Sequence, residues 1–176
     1  MADFSTLAQA GGTLFAAAAA GTSWLSVTSS QREARERRLP YLQASALPIF
    51  GTKPSDPGRV NLVVLNAGAG VANSAAFVLA VGDKEYCSNG LGSGFLSSQG
   101  VARVETKMRP QEKIRALVMC RDVDRRIWVY DLQGNRKSYK GAKLDPARDF
   151  QVFWSDFYGD DLEEWPRGAS KVKMDI

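Results

Sequence analysis

The residues of this chain best suited to chemistry are a glycine pair, two cysteines and two clusters of charge. In "VNLVVLNAGAGVANSAAFVLAV" a strand-like run leads into Gly68-Ala69-Gly70. A dinucleotide-binding turn begins this way, with backbone amides at a helix N-terminus cradling pyrophosphate. The third glycine position of that fingerprint is Asn73 here, the residues beyond it read as another strand, and no series of βα units follows. Two strands joined by a glycine-permitted turn or bulge fit better, and no cofactor is expected. A second glycine-rich stretch, residues 89–100, reads as a loop with Phe95 and Leu96 exposed or held in a contact.

The chain contains no histidine. That removes the commonest general base, the Ser-His and Cys-His pairs, and the commonest metal ligand. Cys87 and Cys120 have neither C-x-x-C nor zinc-ribbon spacing, so they are two buried small hydrophobes or one disulfide. Asp156, Asp160, Asp161, Glu163 and Glu164 offer oxygens suited to a divalent cation, but EF-hand spacing is absent and a solvated acidic tail is the better reading. Arg125, Arg126, Arg136, Lys137, Lys140 and Lys143, interleaved with Trp128, Tyr130 and Tyr139, suit a single-strand nucleic-acid binder. The same alternation describes an exposed sheet face, and a net charge of +4 is mild, so nucleic acid is disfavoured as a partner. These residues together point away from an enzyme and from a metal site.

The elements that would position them begin with an uncharged stretch over residues 4–31, long enough to span a bilayer. Ala8, Gly12, Ala16 and Ala20 recur at every fourth position, a small-residue face that lets two membrane helices approach closely. Trp24 suits the headgroup level. Arg32, Arg35, Arg37 and Arg38 follow the stretch and no Lys or Arg precedes it. The positive-inside bias then places the N-terminus outside and the rest of the chain in the cytoplasm, with the helix in the inner membrane. Contact of the arginines with anionic lipid follows from the same placement. A secretory signal is disfavoured because Asp3, and no basic residue, precedes the apolar stretch. The alternative is an Ala-rich helix packed against other helices, as in an envelope or virion subunit.

From Tyr41 onward, short runs rich in β-branched and aromatic residues alternate with Gly, Pro, Asn and Asp. They predict a mainly β fold: an antiparallel, immunoglobulin-like β-sandwich over residues 40–158, after the transmembrane helix and basic arm of residues 1–39. Residues 159–176 read as a polar tail. "DLQGNRKSY" predicts a hairpin turning at Gly134-Asn135, Trp128 reads as core, and "DFQVFWSDF" reads as the last strand.

The order of an uncharged span, "WLSV", a basic arm, "RLPYLQ", "LVVLNAGAGVANSAAFVL" and a late "WVYDLQGNRKSY" resembles a class of small bacterial single-pass membrane proteins. That class carries an immunoglobulin-like sandwich after its helix, with an R-R-P-x-L lead-in and an N-x-G-x-G-P-A turn. The resemblance reaches to about Tyr139, and departs at Leu39, where the class has Arg, and at Val71, where it has Pro. It implies the fold and the single span, and it brings no catalytic residue. The expectation is a non-enzymatic, membrane-anchored module that binds a protein partner or forms a homo-oligomer.

Overall fold

The computed structural model describes residues 30–31, 33–34, 38–51, 58–82, 85–91, 94–140, 143–162 and 165–175. The chain divides into one unit over Met1–Arg37 and another over Arg38–Ile176. In the first, Ser30, Gln31, Glu33 and Ala34 are helical and exposed. The small-residue face of Ala8, Gly12, Ala16 and Ala20, together with Trp24, Arg32, Arg35 and Arg37, lies outside the described residues. Arg38 is exposed in a turn. Among the described residues no helix is long and apolar enough to cross a membrane.

The second unit contains β1 (Leu42–Ile49), β2 (Arg59–Asn66), β3 (Ala72–Val81), β4 (Glu85–Gly90), β5 (Phe95–Leu96), β6 (Val101–Thr106), β7 (Ile114–Arg121), β8 (Ile127–Asp131), β9 (Arg136–Tyr139), α1 (Phe150–Tyr158) and β10 (Ser170–Asp175). The strands form two antiparallel sheets, ordered β1-β2-β6-β10 and β4-β3-β7-β8-β9, with the short β5 paired to the start of β3. The fold is therefore mainly β, with the sheets packed face to face around one apolar core.

Strand alternation explains which residues enter that core. Val60, Leu62 and Val64 of β2 face inward, and Phe77, Leu79 and Val81 of β3 and Ala116, Val118 and Cys120 of β7 meet them. The intervening residues Ala76, Val78, Ala80, Leu117 and Met119 point the other way and are equally buried, because α1 covers that face with Phe150, Phe153 and Trp154. Burial on both faces is why "AAFVLAV" and "ALVMC" are unbroken apolar runs. Cys87 and Cys120 are free thiols in this core.

Two expectations need correction. Residues 150–158 form a helix, not a strand: Phe150, Phe153 and Trp154 sit at helical spacing on the buried face, while Val152, which a strand would bury beside them, is 53% exposed. Gly159 ends the helix in the left-handed region (φ 74°), its N–H donating to Ser155 O at 2.8 Å. Residues 159–176 are not simply a polar tail, since β10 extends the first sheet by pairing with β6. Its Lys-Val-Lys-Met alternation turns Val172 and Met174 toward the core, and Lys173 Nζ meets Glu105 Oε1 at 2.6 Å. Trp128, read as core, packs against it half-buried.

The turn between β2 and β3 is organised by Asn66, whose side chain is fully buried. Its Oδ1 accepts the N–H groups of Tyr41 (3.2 Å) and Gly68 (3.1 Å). Its Nδ2 donates to the carbonyls of Gly70 (2.7 Å), Leu96 (3.1 Å) and Ser97 (3.1 Å), sharing two hydrogens among three acceptors. The two glycines are required by close approach: a Cβ on Gly70 would lie 1.8 Å from Arg38 O, and one on Gly68 2.4 Å from Tyr41 N. The predicted hairpin turn at Gly134-Asn135 is present, with Gly134 at φ 84°.

Asn66→Ala leaves the Gly70 and Leu96 carbonyls buried without this partner and the half-buried N–H groups of Tyr41 and Gly68 unmet, and is expected to lower stability by about 3 kcal/mol in urea unfolding. Asn66→Asp is expected to cost a similar amount, because a carboxylate then faces the three carbonyls. Burial also sets an alkaline limit. It pushes Cys87 from 9.0 up to about 12 and Tyr158 from 10.0 up to about 12, and it raises Cys120 and Tyr130. These groups keep their protons in the fold while the unfolded chain releases them, so stability is full below about pH 9 and is lost as pH rises through 12. The urea midpoint is expected to hold between about pH 7 and 8.5 and to fall steadily above.

Candidate protein-binding edge

The groups that suggested chemistry are mostly occupied by structural work. Gly68 and Gly70 lie against the backbone of residues 38–41 and leave no cradle for a phosphate. In the acidic cluster, Asp156 accepts from Lys137 Nζ at 3.0 Å and from the Tyr139 hydroxyl, which together hold its carboxyl below the usual carboxylate range, Tyr139 contributing most. Asp160 pairs with Arg115. Glu163 and Glu164 are outside the described residues, and no group of three metal-capable side chains occurs among the rest. Sequence reasoning passed over Arg115. Its guanidinium lies 5.2, 5.3 and 5.5 Å from the ring centroids of Trp154, Tyr158 and Trp165, fixing α1 and the residues after it to β7. A shallow groove of about 260 Å³ between β6 and β10 contains Glu105, already paired with Lys173, and Thr106, whose hydroxyl donates to Val60 O.

The basic cluster is divided by the pleat. Lys137 pairs across strands with Val129 and faces α1, whereas Arg136 pairs with Tyr130 and Ser138 with Trp128, on the face turned toward the first sheet. Arg136 and Ser138 are nevertheless exposed, and Trp128 is half-buried. The first sheet covers this face only as far as β1, which lies over β7 and β8. Beyond β1, the inner face of β9 and the Trp128 end of β8 project as an open shelf, while Tyr130 farther along β8 is roofed by Tyr41 and Pro40.

Beside the shelf runs the free edge of β1. Asn66 N–H donates to Gly100 O and Val60 N–H to Met108 O, so these residues of β2 turn their amides away from β1. Their cross-strand partners are Leu42 and Pro48, and by the alternation of an antiparallel ladder Leu42, Ala44, Ala46 and Pro48 turn their own backbone groups away from β2. Ala44 and Ala46 thus present N–H and C=O along the edge and Pro48 presents C=O alone, while Leu42 is buried. Leu47, Ile49 and Phe50, at the far end of the strand, are 49%, 40% and 73% exposed.

Sheet edges attract stray strands, and proteins blunt them with charge, cover or proline, the last present on β1 at Pro48 alone. Here the β4 edge is covered: Tyr86 N–H donates to Pro166 O, and Gly168 N–H to Tyr86 O. The β9 edge carries Arg136 and Lys137, and the β10 edge Lys171 and Lys173. Residues 41–50 contain no charged side chain, and among the described residues no strand pairs with the outer edge of β1. Lack of charge alone does not mark this edge in the sequence, because residues 60–82 and 86–102 are longer uncharged runs. The chain matches no protein-family model, no curated protein and no solved structure.

The assignment of the edge is testable by proline. Ala44→Pro removes an N–H that bonds nothing in β2, and is expected to cost less than about 1 kcal/mol. Ser45→Pro removes one that pairs with β2, and is expected to cost about 2 to 3 kcal/mol. Thermal unfolding of the two variants reads the difference, and equal losses would place the free groups elsewhere.

Proposed function

We propose that the protein is a non-enzymatic, membrane-tethered β-sandwich module that captures an extended segment of another protein along β1. The observation that carries this reading is the uncharged edge of β1, where the outward backbone groups of Ala44 and Ala46 meet no strand among the described residues and Pro48 blunts only the far end. Adding a strand there satisfies backbone groups on both sides, which is the mode of β-augmentation. The finer assignment of the sandwich is immunoglobulin-like. Its support is the strand order β1-β2-β6 against β3-β7-β8, which follows the A-B-E and C-F-G order of such domains, with β4 beside β3. The tether is residues 4–31, in the inner membrane with the N-terminus outside and the sandwich in the cytoplasm. Its support is the uncharged length and the arginines at 32, 35, 37 and 38.

A photo-crosslinking residue at Gln43, exposed on β1, tests the reading in the full chain in its native membranes. Adducts to another protein are expected from position 43, at least tenfold fewer in the Ala44→Pro background, and few from the exposed turn residue Gln133. Equal adduct yield with and without Ala44→Pro would overturn it.

A further inference from the structure

Resting on the reading of β1 as a binding edge, we infer that the captured strand carries a carboxylate side chain, held by Arg126 and Arg136 over Trp128. Sheets stack about 10 Å apart and neighbouring strands lie about 4.8 Å apart. Since β1 lies over β7 and β8, a strand added to its outer edge lies over β8 and β9, on the shelf. There it meets Trp128, with the guanidinium of Arg126 5.9 Å from the indole centroid and that of Arg136 5.5 Å. The Trp128 Nε1–H donates to Asp122 Oδ2 at 2.9 Å, and Asp122 Oδ1 accepts the Arg126 N–H at 2.9 Å, so the ring and one arginine are held from the turn before β8. Asp122 is 3% exposed and its carboxylate is taken up by the ring N–H and the Arg126 backbone N–H, so the charges over the ring face are the two guanidinium groups.

Two like charges gathered on one ring repel each other, and a carboxylate between them relieves that repulsion while accepting charge-assisted hydrogen bonds. The shelf also argues against a second copy as occupant. Residues 41–50 hold no acid, so two β1 edges placed side by side would leave both guanidinium pairs unmet. A nucleic acid offers the charge but not the alternating N–H and C=O that the edge requires. The occupant is therefore an extended acidic segment of another protein.

Panning a phage-displayed library of random peptides against the full chain in detergent provides the test. The expected result is enrichment of peptides with Asp or Glu at a fixed position among alternating apolar residues. Their binding should fall at least tenfold in Ala44→Pro and in the double variant Arg126→Glu, Arg136→Glu. Panning against the charge-reversed variant should enrich Lys or Arg at that position, an outcome that also shows the variant is folded. Peptides that depend on Ala44 but have no acidic preference, or keep their affinity in the charge-reversed variant, would overturn the carboxylate and leave the edge standing. Enrichment of no peptide sensitive to Ala44→Pro would overturn both. Displacement of the peptides by an oligothymidine, bound equally well by Ala44→Pro, would overturn the acidic strand in favour of nucleic acid.

Discussion

One buried amide ties together the segments that make this sandwich. Asn66 receives the chain where it enters β1, at the Tyr41 N–H, and grips the turn to β3 at Gly68 and Gly70. Through Leu96 and Ser97 it also holds the loop that leads to β6. No combination of apolar residues can do this, because every group it touches is a backbone donor or acceptor, those of Gly70 and Leu96 in buried residues. The glycines follow from it: once the amide draws residues 38–41 against the turn, there is no room for a Cβ. The second sheet grips the same lead-in, with the Tyr130 hydroxyl donating to Pro40 O at 2.8 Å and the Tyr41 and Tyr130 rings meeting edge-to-face at 5.6 Å.

The two sheets are treated unequally. The second is buried on both faces, under the first sheet and under α1, and Arg115 fastens its helical cover with aromatic stacking and an ion pair to Asp160. The first is covered on one face, and its outer side carries Arg59, Arg103, Lys171 and Lys173. Because the covered sheet is wider, its margin at β8 and β9 outruns the sheet that should roof it. The open shelf and the bare edge of β1 are two sides of that mismatch in width.

Much of the fold was legible because strand alternation reports burial directly. Val60, Leu62 and Val64 announce a one-sided strand, and "AAFVLAV" a two-sided one. The helix was not legible, because "FQVFWSDFY" is built from residues favoured in strands and spans only nine positions, too few for the two periods to separate. β10 was hidden because its alternation is brief and its charged residues read as solvated tail. The N-x-G-x-G turn was visible as a pattern, yet the reason for Asn66 was not, since its partners at Tyr41 and Leu96 lie 25 and 30 residues away. The open edge of β1 was not legible, because it emerges only from knowing which backbone groups are already used.

The pairing of β10 with β6 has a consequence for synthesis on the ribosome. Lys173 and Glu105 are 68 residues apart, so β6 emerges and joins β2 well before its other neighbour exists. During that interval the nascent sheet ends at β6 with an unfilled ladder, at the stage when incomplete domains are most prone to pair wrongly. Arg103 and Glu105 stand on the outer face of β6 and guard that temporary border until β10 arrives with Lys171 and Lys173 to replace them. The translation machinery thus sets the order in which the borders of this sheet are closed, and leaves β1, the first strand of the sheet to be made, open to the end.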